Sequence, residues 1–190
     1  MLQISFSKQE IIDLFWAWIA ISFAFAFLWT RPNFFNFPQN LFISSLTVGL
    51  AFLVHEISHK IVAQNFGCLA EFRKFDLGLI FAILMSLFGF VFAAPGVVLI
   101  FGLVSERENG KIALAGPLSN IVLAALFLFL AKTQFKFSPI FYLGFSINSW
   151  LAFFNLLPFY PLDGSKVISW SFFVWAVFFG IAGFLTFFIS

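Results

Sequence analysis

Repeated apolar runs, each long enough to cross a bilayer as helix, constrain this chain more than any other feature. A helix needs about 20 apolar residues to traverse a hydrocarbon core of about 30 Å. Such runs cover Ile11 to Thr30, ended by Arg31-Pro32, then Leu41 to about Val62, Leu77 to Val104, Ile112 to Ala131, Pro139 to about Tyr160, and Val167 to Ile189. A polar stretch, Gln64 to Asp76, and a short charged loop, Ser105 to Lys111, separate some of them. Charged residues make up only 9% of the 190 positions and hydrophobic ones 62%. A soluble domain carries about a quarter charged residues, so polar surface is too scarce here to cover a globule in water. The reading is an all-α polytopic membrane protein, one domain over residues 1–190, with about five to six transmembrane helices. The mixed charge of Lys8, Glu10 and Asp13 ahead of a span-length run fits a first span better than a secretory signal.

The run Leu77 to Val104 is broken at Pro95-Gly96 and decides the topology. Val97 to Gly102 is too short to cross again as helix and has strand-like composition. It is therefore expected to be re-entrant or strand-like, between the second and third full spans. If the run crossed once, Asp163 and His59 would fall on opposite membrane sides. If it dips in and returns, they share one side. Charge favours the return, which groups Lys8, Lys60, Arg73, Lys74, Arg107, Lys111 and Lys166 against Arg31, Lys132 and Lys136. The richer side is then cytoplasmic by the positive-inside rule, with Lys60 and Lys166 candidates for the mouth of a site.

Chemistry concentrates in His55-Glu56-Ile57-Ser58-His59, which holds the chain's two histidines. Four residues is about one helical turn, so both imidazoles project from one face and can reach one metal ion. Glu56 stays close enough to touch a water on that metal, the arrangement of a zinc hydrolase and its general base. Glu56 could instead pair with Lys60, its i+4 neighbour, but flanking histidines at ligand spacing favour catalytic use. Zinc needs a third protein ligand. Asp163 stands out because it follows Pro158 and Pro161, which end regular helix. A carboxylate there is costly in hydrocarbon unless paired or metal-bound. Asn148 and Asn155 share a helix face, and their amides would not face lipid unpaired. Both amides could be interhelical glue, and Asn148 is read so. The single cysteine, Cys68, excludes an internal disulfide, and no basic cluster points to nucleic acid.

Three motifs together resemble the site-2 protease family of intramembrane zinc metalloproteases: His55 to His59, Ala115-Gly116-Pro117-Leu118-Ser119-Asn120, and Asn155 to Gly164, which matches N-x-x-P-x-x-P-L-D-G. They occur in the family's order across a core of about residues 41–166. The resemblance implies one zinc ion held by His55, His59 and Asp163, with Glu56 activating the water. It implies that Asn155 holds or polarises a substrate near the metal, and that the substrate is a transmembrane helix of another protein. It also places the protein in a lipid bilayer, expected to be the plasma membrane with the site toward the cytoplasm. Ala115 to Asn120 reads as packing beside the site, with Pro117 kinking the start of its helix. Unlike larger members of that family, the chain is expected to lack a PDZ or nucleotide-sensing domain. A metal carrier using the histidines as a transit site, or an inactive membrane-binding relative, is the rival reading. Substrate identity and oligomeric state are not legible in the sequence.

Overall fold

The apolar runs become helices where expected, and the polar stretch between them does something the periodicity did not announce. A computed structural model describes residues 4–31, 34–91 and 95–189. Helix α1 (Lys8–Thr30) begins at Ser7, whose side chain accepts the Glu10 N–H, satisfying one donor that a helix start leaves free. Pro32, assigned to the end of this run, lies outside the described residues. The second span is continuous from Phe34 to Asn65. Within it, α2 (Phe37–Ser44) passes through a π-helical turn at Ser45–Gly49 into α3 (Leu50–Asn65), which carries the histidines.

The polar stretch after α3 contains strand β1 (Leu69–Lys74), and the segment after the Pro95-Gly96 break is strand β2 (Gly96–Phe101). They pair antiparallel, Leu69 opposite Phe101 through Lys74 opposite Gly96. Between them, α4 (Asp76–Leu87) is apolar but only 12 residues long, about 18 Å at 1.5 Å per residue and too short to cross. The helix ends at Leu87, and residues 92–94 lie outside the described residues. The Phe75 N–H donates to the Pro95 carbonyl at 2.9 Å, so the chain leaves and re-enters the sheet at neighbouring points. The run from Leu77 to Val104 returns rather than crosses.

Helix α5 (Glu106–Thr133) starts earlier than its apolar run, because Ser105 and Glu108 form a reciprocal capping box. Pro117 consequently lies inside α5 and not at its start. Helix α6 (Ser138–Asn155) follows. The last apolar run is divided: α7 (Asp163–Trp170) ends at Ser171, whose backbone is extended (φ −159°), and α8 (Phe172–Phe184) continues as a π-helical turn to Ile189. Lys8–Thr30, Phe34–Asn65, Glu106–Thr133 and Phe172–Ile189 are long and apolar enough to cross a membrane. Helix α6 is not among them, since Asn148, Ser149 and Asn155 lower its hydropathy. Asn148 and Ser149 are fully buried, so the polarity faces protein instead of lipid. The architecture is an all-α membrane protein with one small two-stranded sheet.

Two buried clusters form. One gathers α1, α3, α4 and both strands around Phe52, Phe72 and Val98. The other gathers α5, α6, α7 and α8 around Ala152, Leu156 and Val167. The histidines belong to the first group of elements and Asp163 to the second, so they meet at the seam.

Candidate metal centre

His55 and His59 follow each other by one turn of α3, and their Nε2 atoms lie 3.0 Å apart. Asp163, the first residue of α7, brings Oδ2 to 3.3 Å from His55 Nε2 and 3.1 Å from His59 Nε2. All three side chains are largely buried. Adjacent ligand atoms of a tetrahedral zinc site stand about 3.3 Å apart when metal–ligand bonds are about 2.0–2.1 Å, so the spacing fits. Asp163 gets there because the chain breaks helix after Asn155. Leu156 takes the C-cap of α6, Trp175 Nε1 donates to the Leu156 carbonyl at 2.8 Å, and the Tyr160–Pro161 bond is cis. A Cβ at Gly164 would fall 2.2 Å from the Leu156 carbonyl oxygen. Only glycine lets α7 start this close to the end of α6.

The far nitrogens of the two rings fix the tautomers. Asn120 Nδ2 donates to the Ala51 carbonyl (3.1 Å) and to Asn148 Oδ1 (3.0 Å). Asn120 Oδ1, 2.6 Å from His55 Nδ1, is therefore an acceptor, and His55 donates from Nδ1. Asn148 closes the chain by donating to the Gly144 carbonyl at 2.8 Å. His59 Nδ1 donates to the Ile112 carbonyl at 2.7 Å. Both Nε2 atoms are left with lone pairs pointing at one another and at a carboxylate. Three ligand atoms this close form a donor set that one metal ion fits, and partners on the distal nitrogens are what metal-ligating histidines have.

The α5 motif takes part directly. A Cβ at Gly116 would fall 2.4 Å from His59 Nε2 and 2.6 Å from His55 Nε2, so glycine makes room for the ring edges that bear the ligand atoms. Pro117 removes the N–H that would serve the Ala113 carbonyl and crowds that turn. The Ile112 carbonyl, in the same opened stretch, accepts from His59. Sequence reasoning assigned Ala115 to Asn120 to packing; the structure puts Asn120 in hydrogen-bond contact with a candidate ligand. An amide four residues after a glycine, about one helical turn on an apolar helix, was the available signal. Asn148 is the interhelical bridge expected of it.

A cavity of about 160 Å³ opens beside the three ligand atoms, lined by Glu56, Asn109, Asn155, Lys166 and β2 residues Gly96, Val97, Val98 and Ile100. Glu56 does not pair with Lys60. The Lys60 ammonium is fully buried against Glu10 of α1, so the sequence expectation that Lys60 belongs to the mouth of the site is corrected, while Lys166 does line the cavity. Lys166 Nζ lies 3.8 Å from Asp163 Oδ1. Asn155 lines the cavity and donates from Nδ2 to the Leu151 carbonyl of its own helix at 2.9 Å.

The sheet register determines which backbone groups face outward. The Phe72 N–H donates to Glu10 and the Ala70 carbonyl accepts from Lys60, so these residues turn their polar groups away from β2. In an antiparallel pair such positions alternate with hydrogen-bonded ones. Across the register, Val98 and Ile100 therefore turn their N–H and C=O groups away from β1. Both residues line the cavity, and β2 is the edge of a two-stranded sheet on that side.

Comparison with known proteins agrees with this chemistry. The chain is 44% identical over 178 residues, 90% of each protein, to a protein of Methanocaldococcus jannaschii that bears the provisional name of zinc metalloprotease. A Bacillus subtilis protein with the same provisional name is 30% identical over 145 residues, covering 65% of this chain and 66% of its own length. A Mycobacterium tuberculosis protein, likewise named, is 31% identical over 123 residues, 61% of this chain and 27% of its own. No protein-family model matches the chain, and no solved structure matches significantly.

Proposed function

The chain belongs to the site-2 protease family of zinc metalloproteases, and from that premise we propose that it hydrolyses a peptide bond within or near a transmembrane helix of a membrane-protein substrate. One observation carries the reading: His55 Nε2, His59 Nε2 and Asp163 Oδ2 converge at about 3 Å, with Glu56 on the same cavity. These three residues would hold one zinc ion. When bound, zinc supplies Lewis-acid polarisation of the scissile carbonyl and makes a water acidic enough to attack near neutral pH.

The chain's own groups do the rest. Glu56 takes the proton of the attacking water on a carboxylate oxygen and returns it to the leaving amide nitrogen. Asn155 holds the substrate beside the metal. A helical substrate hides its carbonyls in its own hydrogen bonds and must be unwound before attack. The outward edge of β2 at Val98 and Ile100 offers the N–H and C=O groups that an extended segment needs. The substrate comes sideways from the bilayer, along the seam between the two buried clusters. The site faces the cytoplasm of a plasma-membrane protein, following the cation bias.

The test is cleavage of a panel of transmembrane peptides by purified protein in detergent, with and without a chelator. Glu56→Gln should abolish turnover and keep the zinc. A variant that keeps full turnover, or chelator-resistant cleavage, would overturn the reading. Metal flux with no cleavage would favour a carrier.

A further inference from the structure

Beside the metal ligands, at the next residue of α3, sits a charge pair that the chemistry does not use. Lys60 and Glu10 are both essentially inaccessible to solvent, 1% and 0% exposed, and they form an ion pair. Burying two charges is costly unless every remaining polar site is satisfied. Here it is: Lys60 Nζ also donates to the Ala70 carbonyl at 3.0 Å, and Glu10 Oε1 accepts the Phe72 N–H at 2.9 Å. Three elements meet on two side chains: α1 through Glu10, the metal-bearing α3 through Lys60, and β1 through its backbone. One turn further along α1, Asp13 lies 3.7 Å from Arg73 of the same strand.

Phe72 links this network to the cavity. Its ring is fully buried, packs edge-on against Phe52 at 5.7 Å, and sits where a Cβ at Gly96 would collide with it. Phe52 is one turn before His55 on α3. Phe72 pairs with Val98, which lines the cavity. Moving the Phe72 backbone therefore moves β2 relative to the metal ligands. An antiparallel two-stranded ribbon is marginally stable by itself, so its placement depends on what holds it.

We propose that Glu10 and Lys60 are positioning residues that fix the β1–β2 ribbon, and with it the substrate-facing edge of β2, at a set distance from the metal-bearing helix. This rests on the reading of the site as a peptidase. The pair touches neither the ligands nor the cavity, so its loss should leave metal binding intact and loosen how the substrate is aligned.

The experiment uses the full-length protein in detergent with a transmembrane peptide that the wild type cleaves in a chelator-sensitive way. Glu10→Ala removes the anchor of Phe72. Glu10→Met combined with Lys60→Met removes the acceptor of the Phe72 N–H, leaves no unpaired buried charge, and serves if the single variant fails to fold. The expected result is unchanged zinc content, a KM raised about tenfold with kcat changed far less, and cleavage spread over neighbouring bonds by mass spectrometry. Faster hydrogen exchange in β1 and β2 than in α3 should accompany it, and Glu10→Asp with its shorter reach should be intermediate. Wild-type KM and a single unchanged cleavage position in folded variants would overturn the proposal. A wild type that cleaves no peptide would instead overturn the peptidase reading, and an exchange pattern unchanged by the variants would still refute the anchoring of the ribbon.

Discussion

Asn120 Oδ1 lies 2.6 Å from His55 Nδ1, across 65 residues of sequence, and sets which nitrogen of His55 is free. The amide can play only one part there, because its Nδ2 is committed to Ala51 and Asn148. A residue that reads as packing thus orients a candidate ligand.

Asn120→Ala should weaken zinc binding by about 10–100-fold, the usual effect of removing a partner of a ligating histidine. Competition with a chromophoric chelator measures it. Asn148→Ala should have a smaller effect in the same direction, because it acts on His55 only through Asn120. Unchanged affinity in both would remove the amide pair from the metal site.

Gly116→Ala separates steric from helical effects. Alanine favours helix over glycine by roughly 0.8–1 kcal/mol, so α5 itself should not suffer. The new Cβ would fall 2.4 Å from His59 Nε2. The expected outcome is sharply reduced zinc per chain by elemental analysis, with helical circular dichroism retained. Full zinc occupancy would mean that the histidine rings have room to move.

Asp163→Ala should lower bound zinc from close to one ion per chain, because it deletes the only carboxylate oxygen within about 3 Å of both Nε2 atoms among the described residues. Asp163 also depends on its loop. Trp175→Phe removes the indole N–H that satisfies the Leu156 carbonyl, which should cost about 1–3 kcal/mol. Thermal unfolding in detergent reports that cost, and zinc affinity should fall with it.

Membrane orientation follows from the return of residues 77–104 and the cation bias. Reporters inserted near Ser7 and near Ile189 should localise to the cytoplasmic and opposite sides. Cysteines placed near Asn155 should react with a small water-soluble thiol reagent from the cytoplasmic side first. Labelling only from the opposite face would invert the assignment.

The sequence by itself determined what local spacing and hydropathy can encode. Apolar runs located the spans, the four-residue interval put His55 and His59 on one face with Glu56 rotated off it but within reach, and the helix-breaking prolines singled out Asp163. Composition also marked Val97 to Gly102 as strand-like, and β2 occupies Gly96–Phe101. These are properties of one helix or one short segment, so no distant residue is needed to read them. Tertiary structure alone decided the partners. Lys60 takes Glu10, 50 residues away, over its helical neighbour Glu56, because the network on β1 satisfies every polar atom of a pair buried from water. His59 takes the Ile112 carbonyl, 53 residues away, a backbone group with no signature in side-chain sequence. The pairing of β1 hid in a stretch that reads as a polar connection, since a two-stranded ribbon is held by its neighbours more than by its own propensity. The split at Ser171 was masked by apolar residues on both sides, because hydropathy records what a segment can dissolve in and not where its backbone turns.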